Sequence, residues 1–172
     1  MMTGYLGDAQ ASAEAFDADV VSVDLLHVQQ SHSGRLDSVN GEQLADWLEG
    51  LGLAAPQVGE GVKVFCVDVS EHPKTRDHHG TFVLCNAKVV SGSRNEKARE
   101  GCMSVPDFTG DVKRPSRIVV RGQLPGTGEE VELEAEAFEA RALQHEIDHC
   151  DGLLFLDRAA GAHAVYARKT YL

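Results

Sequence analysis

The chain has 172 residues, 42% of them hydrophobic, with 27 acidic against 16 basic side chains and a formal net charge of −11. That length suits one domain able to bury roughly 70% of the surface its unfolded chain exposes, without a disulfide scaffold. The negative charge repels phosphate backbones at long range, which argues against a general nucleic-acid binder. The four cysteines (Cys66, Cys85, Cys102, Cys150) are widely spaced with no Cys-x-x-Cys pair, the usage of reduced thiols in a cytosolic compartment. Residues 1–34 hold no Lys or Arg and no long apolar run, which argues against a secretory signal, an Arg-rich transit peptide and a membrane span. A soluble, cytoplasmic protein that does not bind membranes is expected.

Residues 1–19 are polar, acidic and Ala-rich and are expected to form a flexible acidic segment, with a single domain over 20–172. Val20–Leu25 reads as a short strand, residues 31–41 as turn-rich, and Glu42–Leu48 as a short helix ended by Gly50. The run Gly50-Leu51-Gly52-Leu53-Ala54-Ala55-Pro56-Gln57 is small and permissive, and its two glycines allow close backbone approach by a ligand. Val62–Val69 and Thr81–Val90 are rich in β-branched and aromatic residues and read as paired strands across a His-rich turn. Ile118–Arg121 and Val131–Ala135 add two more, joined by the turn Pro125-Gly126-Thr127-Gly128. Strong helix formers run from Ala137 to Asp151, with Gly152 placed to end the helix in a positive-φ conformation. Ala140, Leu143, Ile147 and Cys150 form its apolar stripe for the core, and Phe138, Arg141, Ala142, His145 and His149 lie on another face. The fold class expected is α+β, with mostly antiparallel strands packed around a central helix. A terminal basic cluster (Arg158, Arg168, Lys169) reads as a solvated face.

That helix carries His145-Glu146-Ile147-Asp148-His149. His-Glu-x-x-His puts two imidazoles one turn apart as ligands for a divalent metal, with the glutamate beside them for proton transfer. Proteases with this motif take a third ligand downstream, but no glutamate follows Glu146, and Phe155 stands where a third histidine would fall. Cys102, in Glu100-Gly101-Cys102-Met103-Ser104, is the best upstream candidate. A thiolate and two imidazoles leave one tetrahedral position for water, the mark of a catalytic site. Cys66, Cys85 and Cys150 read instead as small buried hydrophobes.

Three segments together, the Gly50–Gln57 run, Glu100–Ser104 and Gln144–His149, resemble in order and spacing the motifs of the peptide deformylase family. The similarity extends from about Gly50 to Arg158 and includes Arg114 and Leu154-Phe155-Leu156-Asp157-Arg158. The resemblance implies that the domain is catalytic and removes the N-formyl group from the N-terminal methionine of new polypeptides. It implies Cys102, His145 and His149 as ligands of one divalent ion, ferrous iron in the cell and replaceable by zinc, nickel or cobalt. Glu146 would then be general base and acid, and the Gln57 amide and Met103 backbone N–H the oxyanion donors. Gly52 and Gly101 would line the extended substrate, Leu51 and Phe138 would wall a methionine pocket, and Glu100 and Arg114 would form a supporting ion pair. The partners implied are N-formylmethionyl peptides and nascent chains, with transient contact at the ribosome.

The resemblance does not reach residues 1–49, and Ala87 and Cys150 depart from the family's usual proline and leucine. Two other functions compete with this one. A silent metal- or peptide-binding relative would have lost Glu146 or Gln57. A zincin endopeptidase would recruit His163 or Asp157 as its third ligand.

Overall fold

The computed structural model describes residues 51–168. The acidic segment 1–19, the strand expected at Val20–Leu25, the turns of 31–41, the helix expected at Glu42–Leu48, Gly50 and Lys169 lie outside the described residues. Within them, one six-stranded antiparallel sheet runs β1 (Gly52–Ala54), β2 (Val64–Val67), β3 (Phe82–Cys102), β4 (Val105–Gln123), β5 (Glu130–Glu136), with β6 (Val165–Ala167) also paired to β4. A 3-10 turn over Ala55–Val58 follows β1. Two α-helices, α1 (Ala137–Cys150) and the single turn α2 (Phe155–Arg158), and a second 3-10 turn at Ala162–Ala164 complete the order. None of these helices is long and apolar enough to cross a membrane.

Local sequence accounts for most of these elements. In β5 the sequence Glu-Val-Glu-Leu-Glu-Ala-Glu alternates, so Val131, Leu133 and Ala135 meet the core while the glutamates face out. All four residues of β2 are buried, because both of its faces are covered. Phe65 and Val67 join Leu84, Ile118, Val120, Leu143 and Ile147 in the main core, and Val64 and Cys66 join Leu53, Val83 and Cys85 in a second cluster. The turn after β4 uses Gly126 and Gly128 at positive φ. Helix α1 ends where expected: Gly152 adopts φ 78°, and the N–H of Leu153 donates back to the Asp148 carbonyl. Polar residues of α1 are buried together with its apolar stripe (Glu139, Gln144, Glu146, Asp148, His149), so the helix is enclosed on more than its core face.

Two expected strand boundaries were too short. The strand expected at Thr81–Val90 continues to Cys102, and that expected at Ile118–Arg121 begins at Val105, together forming one long hairpin. Bulges near Asn86, Val90 and Cys102 bend it. Residues 91–99 of β3 are exposed, and on β4 the positions that alternate inward are Gly110, Val112 and Arg114, so a glycine and an arginine hide the apolar alternation that marks a strand in sequence. Cys102 is the last residue of β3.

Candidate metal and active site

Three elements converge on one cleft of about 270 Å³, lined among others by Leu51, Gly52, Gln57, Gly101, Cys102, Met103, Phe138, His145 and Glu146. The end of β3 brings Cys102, the last two turns of α1 bring His145 and His149, and β1 with its 3-10 turn brings Gly52 and Gln57. One ligand atom each from Cys102, His145 and His149 falls within 4.8 Å of the others. Cys102 Sγ is 3.2 Å from His149 Nε2, and the two imidazoles meet edge to face at 4.7 Å. Ligands bound ~2.0–2.3 Å from one tetrahedral ion stand about 3.5 Å apart, so this spacing and its soft donor set suit a divalent transition ion. Neither His163 nor Asp157 belongs to the group, and Asp157 is occupied as an acceptor for the Leu154 N–H.

The electrostatics favour a thiolate at Cys102. Burial opposes a thiolate at Cys102, but hydrogen bonds and charge from His145 and His149 outweigh it and bring the thiol down to about 5. Burial likewise opposes a charged His145, yet its contacts with Cys102 and Glu100 carry it up to about 10, so an ion bound here displaces a proton from this imidazole. His145 Nδ1 lies 3.1 Å from Glu100 Oε2, which leaves Nε2 as the ligating nitrogen. Cys66 and Cys150 differ sharply: burial pushes both thiols up to about 12, which keeps them protonated and inert.

Behind the ligands lies a buried chain of charge. Arg114 grips Glu100 through Nε (2.8 Å) and Nη2 (3.0 Å), and reaches Asp148 with Nη1 at 2.7 Å. Arg158 clasps the other side of Asp148 at 2.7 Å, and Arg141 donates to Glu100 at 2.6 Å. Burial alone would raise the Glu100 carboxyl, but His145 and Arg114 hold it down at about 2. The Glu100–Arg114 pair was legible in the sequence. Asp148 and Arg141 were not, because a charged residue on a helix is ordinarily read as solvated.

Glu146 is buried among these groups, and desolvation raises its carboxyl to about 7 despite the neighbouring imidazoles. Its Oε2 has no hydrogen-bond partner among the described residues. Gly52 proves essential to that placement, since a Cβ there would stand 2.6 Å from Glu146 Oε1. The close approach permitted by Gly52 is thus used by Glu146 itself. Opposite, Gln57 accepts the Ala54 N–H at 2.9 Å through Oε1, which turns its NH₂ group toward Ser104 Oγ (3.1 Å) and Cys102 Sγ (3.7 Å). Ser104 also donates its backbone N–H to Cys102 Sγ at 3.4 Å. Phe138 packs on the main core and stacks flat on His72 (3.8 Å, 5° between planes), a cleft residue that nothing in the sequence singled out. Leu51 likewise combines core packing with a place on the cleft wall.

The profile of the polypeptide deformylase family matches residues 24–164. The chain belongs to the peptide deformylase family. Its members are metallo-hydrolases that remove the N-formyl group from the N-terminal methionine of new polypeptides. Peptide deformylase 1 of Vibrio vulnificus is 47% identical over 116 residues, covering 67% of this chain and 66% of its own length. Peptide deformylase of Thermodesulfovibrio yellowstonii is 40% identical over 71% of this chain and 72% of its own. The chain thus spans about two thirds of the length of these curated relatives. Among solved structures, the Met-Ala-Ser-bound class I type b peptide deformylase of Acinetobacter baumannii shares the fold with a TM-score of 0.63 and 31% identity, covering 81% of this chain and 99% of that one. The Thermotoga maritima enzyme aligns with a TM-score of 0.59 and 35% identity over 70% of this chain and 78% of its own.

Proposed function

We propose that this chain hydrolyses the formamide of N-formylmethionyl peptides and nascent chains, releasing formate, with one divalent ion held by Cys102, His145 and His149. The observation that carries this reading is the coexistence in one cleft of three soft ligand atoms, a buried carboxyl raised to about 7 and an amide NH₂ held facing the thiolate. Bound there, the ion supplies Lewis acidity to water and to the formyl oxygen. Glu146 takes the proton of the attacking water as the oxygen adds to the formyl carbon. The Gln57 Nε2–H and the Met103 backbone N–H donate to the oxygen that becomes negative, each worth ~3 kcal/mol where well placed. Glu146 then gives the proton to the methionine nitrogen as the C–N bond breaks, leaving formate and a free amine. A carboxyl poised near neutrality suits both transfers.

Gly52 and Gly101 would line an extended substrate that pairs along β1 and the end of β3 as an added strand does. Leu51 and Phe138 form the apolar wall for the methionine side chain. We read α1 as the central helix around which the strands of a single catalytic domain close. Ferrous iron is the ion expected in the cell, the compartment expected is the cytoplasm, and transient contact with the ribosome follows from the substrate. Metal-loaded protein is expected to release formate from formyl-Met peptides, and anaerobically purified protein to contain iron on elemental analysis. Glu146→Ala should lower kcat/KM at least ~100-fold while metal content holds; an unchanged rate would remove Glu146 from the mechanism.

A further inference from the structure

We propose that His72 is a specificity-determining wall of the methionine pocket, stacked on Phe138 and kept there by the buried Glu139 carboxyl, which grips His79 of the same loop. The inference rests on the deformylase reading and adds to it the residues that decide which first side chain is accepted. The connection between β2 and β3, residues 68–81, is built of turns and bends, yet it is fixed at several points. Its two ends are joined where the Thr81 hydroxyl donates to Asp68, whose other oxygen accepts the Ser70 N–H at 2.8 Å.

The second anchor is Glu139, in the first turn of α1, with a side chain only 2% exposed. A carboxyl taken that far out of water needs hydrogen-bond partners. Both of its oxygens meet one residue: the His79 N–H donates to Oε1 at 2.8 Å, and His79 Nδ1 lies 3.0 Å from Oε2. The His79 ring also meets Phe82 edge to face at 6.2 Å, and Phe82 packs on the main core. Glu139 stands apart from the ligand group and from the Arg114 network, so its burial serves the loop.

The loop held in this way delivers His72. The His72 ring lies flat on Phe138, and its Nδ1 accepts the Lys74 N–H at 3.2 Å, which fixes how the ring is turned. Phe138 directly precedes Glu139, so the stack and the grip on His79 are neighbours on α1, and a shift in one moves the other. Both stacked rings line the cleft beside Leu51 and Ala142. Phe138 precedes His145 by two helical turns, about 10 Å, so a side chain starting at the metal must be long to reach the pair. A flexible thioether packs well against ring edges, whereas a second ring on the substrate competes with His72 for the same space.

The test is kcat/KM for formate release by metal-loaded, full-length protein from formyl-Met, formyl-Phe and formyl-Ala peptides of otherwise identical sequence. His72→Ala should slow formyl-Met and quicken formyl-Phe, changing their ratio about tenfold, mainly through KM, while formyl-Ala holds. Glu139→Gln should move the ratio the same way, as should His79→Ala, which alters a side chain 40% exposed. Neither should add to His72→Ala in a double variant, because both act through that ring. Should Glu139→Gln fail to fold, His79→Ala still decides. An unchanged Met-to-Phe ratio in His72→Ala, or an equal loss on all three peptides, would overturn the wall and leave the deformylase reading standing. A ratio that moves in His72→Ala but in neither of the other variants would overturn the role of Glu139. No formate from any of the peptides with the wild-type protein would overturn the wall and the deformylase reading together.

Discussion

A methyl group at residue 52 would stand 2.6 Å from Glu146 Oε1 and 2.9 Å from two more atoms of that side chain, closer than packed atoms tolerate. Gly52 does not occupy a positive-φ conformation, so alanine would be free of backbone strain and would act only through this contact. Gly52→Ala is expected to displace the carboxylate by a fraction of an ångström to an ångström and lower kcat about 100-fold. Overpacking should cost about 1–3 kcal/mol of stability. A formate assay beside a thermal melt separates the two effects, and full activity in the variant would show that Glu146 tolerates the shift. The sequence showed that residue 52 must be small, because a glycine-rich run signals close approach. It could not show that the approaching group is the chain's own Glu146, since the two residues meet only when β1 packs on α1.

At the scale of elements, α1 is fastened to the β3–β4 hairpin by one arginine. Arg114 on β4 holds Glu100 on β3 and Asp148 on α1, all three nearly excluded from water. Removing one member of a buried charged set strands the others without partners and costs about 3–5 kcal/mol. Arg114→Met should therefore move the urea midpoint markedly. Arg121→Met, at an exposed pair with Glu132, should change stability by about 1 kcal/mol or less. Equal small shifts in both variants would show that the buried network is not structural. Elements with a buried face were readable in advance: β5 alternates, β2 is wholly apolar, and α1 has its stripe and terminal glycine. The middle of the long hairpin was not. Residues 91–99 are exposed, the inward positions of the facing stretch are Gly110, Val112 and Arg114 rather than an apolar run, and Pro115 within β4 argues against a strand although it pairs in register with Asn95. That hairpin is held by its ends and by side-chain pairs, which leave no periodic mark.

For the whole molecule, the ligand set ties the end of β3 to the last turns of α1, segments far apart in sequence that meet only in the native state. An ion that binds this set and not the unfolded chain stabilises the fold by mass action, by about 4 kcal/mol when free metal is a thousandfold above Kd. For a chain of this size each kilocalorie raises Tm by roughly 2–4 °C, so loading should raise the melting temperature by about 8–16 °C and chelation should reverse it. Cys102 decides the assignment. Cys102→Ala leaves the two imidazoles in place but removes the thiolate that burial would otherwise disfavour and that the histidines stabilise. The variant should fold and melt near the metal-free wild type, and its melting temperature should respond weakly or not at all to added zinc, cobalt or nickel. If it kept the full metal-dependent shift, a side chain other than Cys102 would complete the site, and the long connection between the hairpin and α1 would be closed by packing and the Arg114 network alone.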